Sequence, residues 1–432
     1  MVRFGAPLLV VGAALLAQPV YAQTPGAGQV TFTKEIAPIF QRSCVNCHRE
    51  NAIAPMSLRT YEDVRPWARS IRTRVSTREM PPWGLDRHVG IQKIKDDPSL
   101  SDAEIALVTK WIDSGAPKGN PADMPAQRQF TDLGWGMNRA PDLVVEMKEP
   151  YTVKANGPDE KINFIADFVM PEDRYILAMQ SKPDAGSFKV VHHSNTSMLL
   201  AEGGSDFLSE YAIGKGPEEF PEGSARLLPK GSKIEFNVHY HSVGEATASK
   251  SAVAFWFYPK GVSPKYVMHT QHVGDNLEVD IPAGEITRHD GYFRLPKAAQ
   301  IVAFQPHTHI RGKRECVEAI YPDVGGDDNR PEPARTEMIS CVDINFGWML
   351  TYNYADDVAP LLPKGTVLHV ITWHDNTAAN KSNPNPKNWV GQGGRTTDEM
   401  TYAWMNMFFM DDADFNQKVA ERAAAKKAKS TN

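Results

Sequence analysis

The sequence has 432 residues, of which 41% are hydrophobic and 23% charged, and its formal net charge is -5. This length is enough for two or three domains, and the composition is that of an ordinary globular protein. The slightly acidic balance and the lack of a basic patch with interleaved aromatic residues argue against nucleic-acid binding.

The N-terminus has the pattern of a secretory signal peptide over residues 1–22. Arg3 precedes an apolar run from Ala6 to Ala17, and Val20-Tyr21-Ala22 offers a cleavage site. The run is short for a membrane span, although an uncleaved anchor is the alternative, and no later stretch is apolar enough to cross a bilayer. We therefore expect a secreted protein of the bacterial periplasm with no stable membrane span.

A haem-attachment motif follows at Cys44-Val45-Asn46-Cys47-His48. In the Cys-x-x-Cys-His pattern of c-type cytochromes, two thioethers hold the porphyrin and the histidine ligates the iron. A thioredoxin-like motif would need a surrounding βαβ pattern, and a zinc knuckle would need further cysteines. We predict one covalent haem c bound by Cys44, Cys47 and His48.

The second axial ligand of the iron is predicted among two methionines, because methionine is the usual partner in electron-carrying cytochromes c. Met80 precedes Pro81 and Pro82, which stiffen an extended loop. Met56 lies nearer the haem cysteines in sequence and is expected to pack in the core. We favour Met80 and keep Met56 as the alternative.

The segment 28–120 ends in a predicted helix. Ser101 and Glu104 form a capping-box pattern, apolar residues follow at helical spacing, and Gly115 marks the end. The whole segment resembles a class I cytochrome c domain, which is small and all-α. Residues 121–135, where prolines stand among polar residues, are interpreted as a linker.

The remaining sequence, from about 136 to 410, alternates short β-branched and aromatic runs with Gly, Pro, Asn and Asp. Strands at this spacing are typical of antiparallel sandwiches, and roughly 270 residues is generous for one of them. We therefore predict a multidomain fold in which the helical domain precedes two tandem, jelly-roll-like β-sandwiches over 136–283 and 284–412. Residues 413–432 form a charged tail, either helical or disordered.

Histidine and methionine clusters are spread over both β segments. His307 and His309 lie one residue apart in an apolar run, so on a strand they point to the same face. His192 and His193 are adjacent and can share one ion only at a strand end or a bulge. Two more clusters are Asn237-Val238-His239-Tyr240-His241 and Asp398-Glu399-Met400. Imidazole with thioether favours copper over calcium, magnesium or structural zinc.

These four clusters, in this order and spacing, resemble the copper type II, ascorbate-dependent monooxygenases, a family that includes peptidylglycine hydroxylating monooxygenase and dopamine β-monooxygenase. The resemblance covers roughly residues 140–410. It is carried by Val190-Val191-His192-His193, Asn237-Val238-His239-Tyr240, Pro306-His307-Thr308-His309-Ile310-Arg311-Gly312-Lys313 and Asp398-Glu399-Met400. The four motifs are specific together, although each one alone is weak.

The resemblance implies two tandem β-sandwiches that each hold one copper across a solvent cleft. The electron-donating copper would be held by His192, His193 and His239. The catalytic, oxygen-binding copper would be held by His307, His309 and Met400. The implied activity is hydroxylation of a C–H bond of an unknown small substrate by dioxygen. The haem domain would feed electrons to the copper pair, replacing or supplementing ascorbate or a periplasmic redox protein.

The substrate pocket departs from that of the peptide-amidating members. Their arginine two residues before the His-x-His pair is Gln305 here. Their tyrosine and asparagine after the copper methionine are Trp404 and Tyr402. The clamp for a substrate carboxylate is therefore absent, and a C-terminal glycine peptide is not the expected substrate.

Two other functions stay open at this point. One is a different copper redox enzyme, an oxidase or a peroxidase, on the same scaffold. The other is a non-catalytic electron-transfer or copper-handling protein, which would have one degenerate copper site, whereas all six family ligands are present.

The remaining histidines and cysteines have simpler interpretations. His241 could compete for the first copper, and His374 is expected to be a satisfied core or loop residue. Cys316 and Cys341 are expected to form a disulfide in an oxidising compartment, with two free thiols as the alternative.

Overall fold

The computed structural model describes residues 28–50, 52–130, 134–137, 139–274, 278–322 and 335–431. The predicted signal peptide over residues 1–22 lies outside these ranges. The described chain is mostly β-sheet with few helices, which agrees with the predicted β-rich region. Among the described residues, no helix has both the length and the apolar character that crossing a membrane requires.

Short helices make up the segment before the first sheet. They are α1 (Ala37–Ser43), α2 (Tyr61–Val64), α3 (Ala68–Ser76) and α4 (Asp102–Asp113), with a π-helical turn at Phe32–Ile36 and 3-10 turns at Arg65–Trp67 and Pro121–Asp123. The predicted capping box starts α4, because Ser101 Oγ accepts the Glu104 amide and Glu104 Oε2 accepts the Ser101 amide, at 3.2 and 2.8 Å. Phe32 and Trp111 pack against each other, with ring centroids 5.9 Å apart, in a core that these helices share.

The strands follow in a continuous series. They are β1 (Leu143–Glu146), β2 (Tyr151–Val153), β3 (Glu160–Ile165), β4 (Arg174–Pro183), β5 (Val191–Leu199), β6 (Ser205–Ala212), β7 (Glu218–Glu219), β8 (Ser224–Leu228), β9 (Lys233–Tyr240), β10 (Thr247–Ser249), β11 (Ser251–Phe257), β12 (Tyr266–Val273), β13 (Asp280–Ile281), β14 (Ile286–Arg294), β15 (Ala298–His307), β16 (Gly312–Ile320), β17 (Thr336–Asp343), β18 (Tyr352–Asn353), β19 (Leu361–Leu362), β20 (Val367–Asp375), β21 (Val390–Gly391) and β22 (Tyr402–Met410). A 3-10 turn at Ala185–Ser187 precedes β5, and the tail forms a helix, α5 (Asp412–Thr431).

Two four-stranded sheets face one ten-stranded sheet. The four-stranded sheets have the orders β3-β9-β5-β6 and β14-β20-β16-β17. The main path of the ten-stranded sheet is β1-β11-β4-β8-β12-β22-β15-β18. Phe236 of β9 packs with Phe255 of β11 in one core, and Val370 of β20 packs with Phe304 of β15 in the other. The result is two sandwich-like pairs of layers with separate cores.

The two halves of the β region, residues 136–283 and 284–412, are joined by hydrogen bonds between their strands. Strand β12 pairs antiparallel with β22 and parallel with β8, so the large sheet runs through both halves without a break. Phe408 and Met410 of β22 belong to the core of the first half. The predicted boundary near residue 283 therefore does not separate two independent sheets, because strands from both sides of it belong to the ten-stranded sheet.

A strap formed by residues 83–95 ties the helical segment to the second half. Leu85 and Ile94 are buried in the second core, and Leu85 bridges to Val342. A side chain at position 84 would not fit, because a Cβ on Gly84 would lie 2.2 Å from the Asp343 carbonyl oxygen. The strap lies within the range 28–120, yet it packs on the β-sheet and not on the helices.

Strands β16 and β17 carry the predicted disulfide. Cys316 lies directly opposite Cys341 in their antiparallel register, and the two residues are bonded, with Cα atoms 4.0 Å apart. The prediction of this bond from the two leftover cysteines is confirmed.

Candidate metal centre

The first histidine group forms where β5 and β9 begin and end. His193 lies opposite His239 in the antiparallel pair, and the register shifts between Val191 and His193. This irregularity turns His192 to the same side as its neighbour, which a regular strand would not allow. The structure thus has the irregularity, at the start of a strand, that two adjacent histidines need to face the same side; that they share one ion stays a prediction.

The three side chains converge on one point. Their ligand atoms all lie within 4.8 Å of one another, and the ring centroids of His192, His193 and His239 are 5.1 to 5.5 Å apart. His239 Nε2 donates to Asp159 Oδ2 at 3.0 Å, which leaves its Nδ1 lone pair for a metal. His241 lies outside this group.

Orphaned ring nitrogens indicate that a metal fits this group. Nδ1 of His192 and Nδ1 of His193 are buried, with no hydrogen-bond partner in the described structure. A buried polar atom left without a partner is costly, and a bound ion would remove that cost. Burial lowers the pKa of His192 to about 4 and that of His193 well below its ordinary value. Both imidazoles are therefore neutral near pH 7, which is the form that binds metals.

The second histidine pair lies at the end of β15. The rings of His307 and His309 are 5.7 Å apart, as expected for residues on one face. His309 Nδ1 donates to the Asp398 carbonyl oxygen at 3.0 Å, so its Nε2 is left for a metal. His307 Nδ1 is buried without a partner among the described residues, and burial lowers the pKa of His307 to about 3.

A buried carboxylate holds the backbone of this pair. Glu399 is fully buried and accepts the amides of His309 at 2.8 Å and Arg311 at 2.7 Å. Burial raises the pKa of this carboxyl to about 7. Glu399 stands directly before Met400, so the predicted methionine ligand is anchored next to the histidine pair through the backbone.

Two neutral histidines, His289 and His374, are linked to the backbone of Met400 by hydrogen bonds. The amide of Asp280 donates to His289 Nε2 at 3.2 Å, and the Nδ1 atoms of His289 and His374 are 3.2 Å apart. His374 Nε2 donates to the Met400 carbonyl oxygen at 3.3 Å. The expectation that His374 is a satisfied core or loop residue is confirmed, and its bond to the Met400 carbonyl oxygen fixes the main chain beside the pair of His307 and His309.

Phe346 lies between the two histidine groups. Its ring centroid is 4.7 Å from that of His192 and 6.4 Å from that of His309. The loop around it, Asn345-Phe346-Gly347, carries no signal that marks it as part of a site. Sequence reasoning missed this residue because its position depends on the packing of the two halves.

A buried polar link centred on Gln305 also joins the two histidine groups. Gln305 Nε2 donates to Glu210, and Gln305 Oε1 accepts from Thr351 Oγ1 at 2.6 Å. Glu210 Oε1 in turn lies 3.8 Å from His193 Nδ1. Both ends of the Gln305 amide are thus committed, and sequence reasoning missed the partner Glu210.

The haem motif follows the end of α1. His48 Nδ1 donates to the Met56 carbonyl oxygen at 3.3 Å, which leaves Nε2 for an iron. Cys44 and Cys47 form no disulfide, and burial raises the pKa of Cys44 to about 12. Met56 packs against the helical core together with Cys44, as expected, while Met80 is partly buried on the loop after α3. The assignment of Met80 to the iron stays a prediction.

Comparisons with known proteins give little. No family model and no curated protein matches the chain. Similar solved structures include the major capsid protein P2 from bacteriophage PM2, at 11% identity over 62% of this chain and 97% of that chain, with a TM-score of 0.28. They also include infectious bursal disease virus Gx strain (9% identity, 66% and 86% covered, TM-score 0.16) and oxalate decarboxylase (8% identity, 64% and 79% covered, TM-score 0.13). Likenesses this weak support no inference about function.

Proposed function

We propose that this protein is an exported copper-dependent monooxygenase that hydroxylates a C–H bond of a small substrate with dioxygen. The observation that carries the proposal is the convergence of His192, His193 and His239, whose ligand atoms lie within 4.8 Å of one another. The chain also carries the separate pair of His307 and His309. The four-motif resemblance to the copper type II monooxygenases supplies the activity.

The ligands of the two proposed copper sites differ as expected if one site transfers electrons and the other binds dioxygen. The first group has only imidazoles, which accommodate both copper oxidation states and suit electron relay. The second adds the thioether of Met400, a soft ligand that favours Cu(I). Copper, when bound, supplies the reductive activation of dioxygen. The chain supplies neutral imidazoles, the backbone anchor at Glu399, and the Phe346 ring that fills the space between the two groups.

We further propose that the helical segment carries haem c and delivers electrons to the copper pair, in addition to or in place of ascorbate or a periplasmic redox protein. The Cys44-Val45-Asn46-Cys47-His48 motif and the uncommitted Nε2 of His48 support this assignment. The strap at residues 83–95 supports an association of the haem segment with the copper region, because Leu85 and Ile94 pack in the core of the half that holds His307. A cavity of about 660 Å³ at this junction is lined by Trp83, Pro306 and Thr308 among others.

We propose that the enzyme does not bind its substrate through a carboxylate group. Gln305 replaces the arginine of the peptide-amidating members, and its amide is committed to Glu210 and Thr351. A free carboxylate brought to this position would meet the buried carboxyl group of Glu210, whose pKa is raised by burial, in place of the guanidinium cation of an arginine.

Anaerobic reduction followed by oxygen readmission tests the activity. Full-length protein loaded with copper is mixed with candidate substrates, and hydroxylated product and hydrogen peroxide are both measured. We expect product in the parent and in Met198→Leu, which changes a buried methionine of the first core that belongs to neither histidine group. Met400→His should retain metal and lose most turnover. Turnover of Met400→His at the parental rate would contradict the assignment, and peroxide without product from any substrate would favour the oxidase alternative.

Covalent haem is tested separately. Protein from a host able to mature cytochromes c should give a pyridine haemochrome spectrum after denaturation. The Cys44→Ser, Cys47→Ser double variant should give none. A colourless parent protein from such a host would contradict the haem proposal and leave the copper proposal standing.

A further inference from the structure

An unbroken series of aromatic rings runs outward from His307. Tyr402 stacks on the His307 imidazole, with ring centroids 4.6 Å apart and an interplanar angle of 16°. His272 stacks on Tyr402 at 4.7 Å, and Trp404 meets the His272 ring edge-on at 3.8 Å. Phe207 stacks on Trp404 at 4.2 Å. Each ring in the series therefore touches the next.

Strand register produces this series. Tyr402 of β22 lies opposite His307 of β15, and Trp404 lies opposite His272 of β12. Tyr402 and Trp404 are two residues apart and project from the same face of their strand. His307 and Tyr402 are 8% and 9% exposed, Trp404 is half-buried and His272 is exposed. The series thus leads from a proposed copper ligand to solvent.

We propose that Tyr402 and Trp404 form a redox relay that returns an electron to the His307 site when that site is oxidised in the absence of substrate. The inference rests on the proposed function, because the relay needs a strong oxidant beside His307. Tyrosine and tryptophan are the side chains that lose a single electron to such an oxidant and survive as radicals. These two positions are also among the three, with Gln305, at which the sequence differs from the pattern of the peptide-amidating enzymes, so the substrate of those enzymes does not explain them.

The relay consists of two electron transfers within the protein, followed by reduction of Trp404 by an external donor. Tyr402 gives one electron to the oxidised His307 site and releases its phenolic proton, which leaves a neutral tyrosyl radical. Trp404 then gives one electron to that radical, the phenol takes up a proton, and Trp404 becomes a radical cation. A one-electron donor of the ascorbate class in solution reduces Trp404. Each passage moves one electron from the external donor to the site. Hydrogen peroxide is the oxidant, and two such passages with two protons from solvent complete the reduction of one peroxide to two water molecules.

Packing alone predicts a different result from the relay. Cross-strand aromatic pairs stabilise sheets through contact between their rings. Tyr402→Phe keeps the ring and removes only the hydroxyl group that releases the proton. A merely structural role would therefore leave this variant equal to the parent in radical chemistry, whereas the relay requires a difference.

The first arm of the test uses the copper-loaded full chain with hydrogen peroxide and no substrate. Freeze-quench electron paramagnetic resonance measures protein radicals, and peptide mass spectrometry measures oxidation of His307 and His309. We expect a tyrosyl signal in the parent that falls severalfold in Tyr402→Phe, with severalfold more oxidation of the two histidines. Tyr211→Phe, a buried tyrosine outside the series, should match the parent.

The second arm uses the metal-free full chain and a photogenerated one-electron oxidant, flash-quenched ruthenium tris-bipyridine. The readout is the part of the tyrosyl signal that Tyr402→Phe removes. Because Tyr402 is buried and Trp404 is partly exposed, we expect this part to form in the parent and to fall severalfold in Trp404→Phe. An equal signal in Trp404→Phe, or no Tyr402-dependent signal in the parent, would overturn the relay.

The two arms separate this inference from the proposed function. If the protein binds no copper, the proposed function fails, and the metal-free arm alone decides whether Tyr402 and Trp404 exchange electrons. If copper binds and Tyr402→Phe changes neither radicals nor histidine oxidation, the relay is wrong and the metal centre stands.

Discussion

Glu399 shows how one residue can organise a site without being a ligand. Its carboxylate accepts the amides of His309 and Arg311, one on each oxygen. Its neighbours on either side, Asp398 and Met400, each offer a carbonyl oxygen to a histidine. The chain from 398 to 400 is therefore fixed at every residue, and this fixes where the Met400 side chain begins.

Replacing Glu399 by glutamine should weaken the second copper site. An amide side chain has one accepting oxygen where the carboxylate has two, so one of the two amides loses its partner. Groups that orient ligands in this way typically contribute a factor of about 10–100 in metal affinity, and we expect a loss of that size for Glu399→Gln. Competition titration with a Cu(I) chelator measures it. Glu318→Gln, which removes a carboxylate bonded to His369, is the control and should bind like the parent. Equal affinity in all three proteins would contradict this role.

The buried histidines predict an acid-sensitive metal-free protein. Burial lowers the pKa of His374 to about 3, below its ordinary value of 6.5, so the unfolded chain binds more protons between these values. The contribution of His374 to the free energy of unfolding is therefore fully present above about pH 6.5. It is lost as the pH falls below that value, by up to ~1.4 kcal/mol per pH unit. Urea unfolding of the metal-free protein at about pH 7 and pH 5 measures the change. His374→Asn should flatten this dependence, and a parent that is equally stable at both values would contradict the prediction.

The strap at residues 83–95 is the element whose role the sequence concealed. Its hydrophobic residues are few, and neither helical nor alternating spacing marks it. Leu85 and Ile94 nevertheless lie in the second core, and the Arg314 guanidinium pairs with Asp86. Its close approach to β17 is possible only because position 84 has no side chain.

Gly84→Ala should therefore loosen the strap. The added Cβ would lie 2.2 Å from the Asp343 carbonyl oxygen, and backbone shifts of this kind typically cost about 1–3 kcal/mol. Gly186→Ala is the matched control, since a Cβ there would meet no atom within 4 Å. Chemical unfolding compares the three proteins, and limited proteolysis between residues 77 and 100 reports the strap directly. Unchanged stability and cleavage in Gly84→Ala would show that the strap is not held at this point.

Local features of these elements were predictable because their causes are local. The capping box of α4 needs only Ser101 and Glu104, and the shared face of His307 and His309 needs only strand periodicity. The bulge at His192 followed from requiring two adjacent histidines to reach one ion. Phe346, Glu210 and the stacking of Tyr402 on His307 could not be predicted, because each depends on contacts between strands distant in sequence.

At the scale of the whole molecule, the continuous large sheet couples the two halves. Strand β22 pairs with β15 of the second half and β12 of the first, and its alternate side chains enter both cores. Met407 lies in the second core and Phe408 in the first. Neither half has a complete set of layers without this strand.

The β region should therefore unfold as one unit. Phe408→Ala removes a buried ring from the first core, which typically costs about 3–5 kcal/mol, although its strand comes from the C-terminal end. We expect one transition in both parent and variant when unfolding is followed by tryptophan fluorescence and circular dichroism together. Exposed Val262→Ala is the control and should unfold like the parent. Two separate transitions in the parent, only one of them moved by Phe408→Ala, would show that the halves are independent.

Copper content tests the central claim most directly, namely that two separate histidine groups each bind one copper. Protein loaded with Cu(I), freed of excess metal and measured by mass spectrometry should hold about two coppers per chain. His193→Ala and His309→Ala should each hold about one, and His241→Ala, outside both groups, about two. A parent with no copper, or a His193→Ala variant that still holds two, would contradict the account.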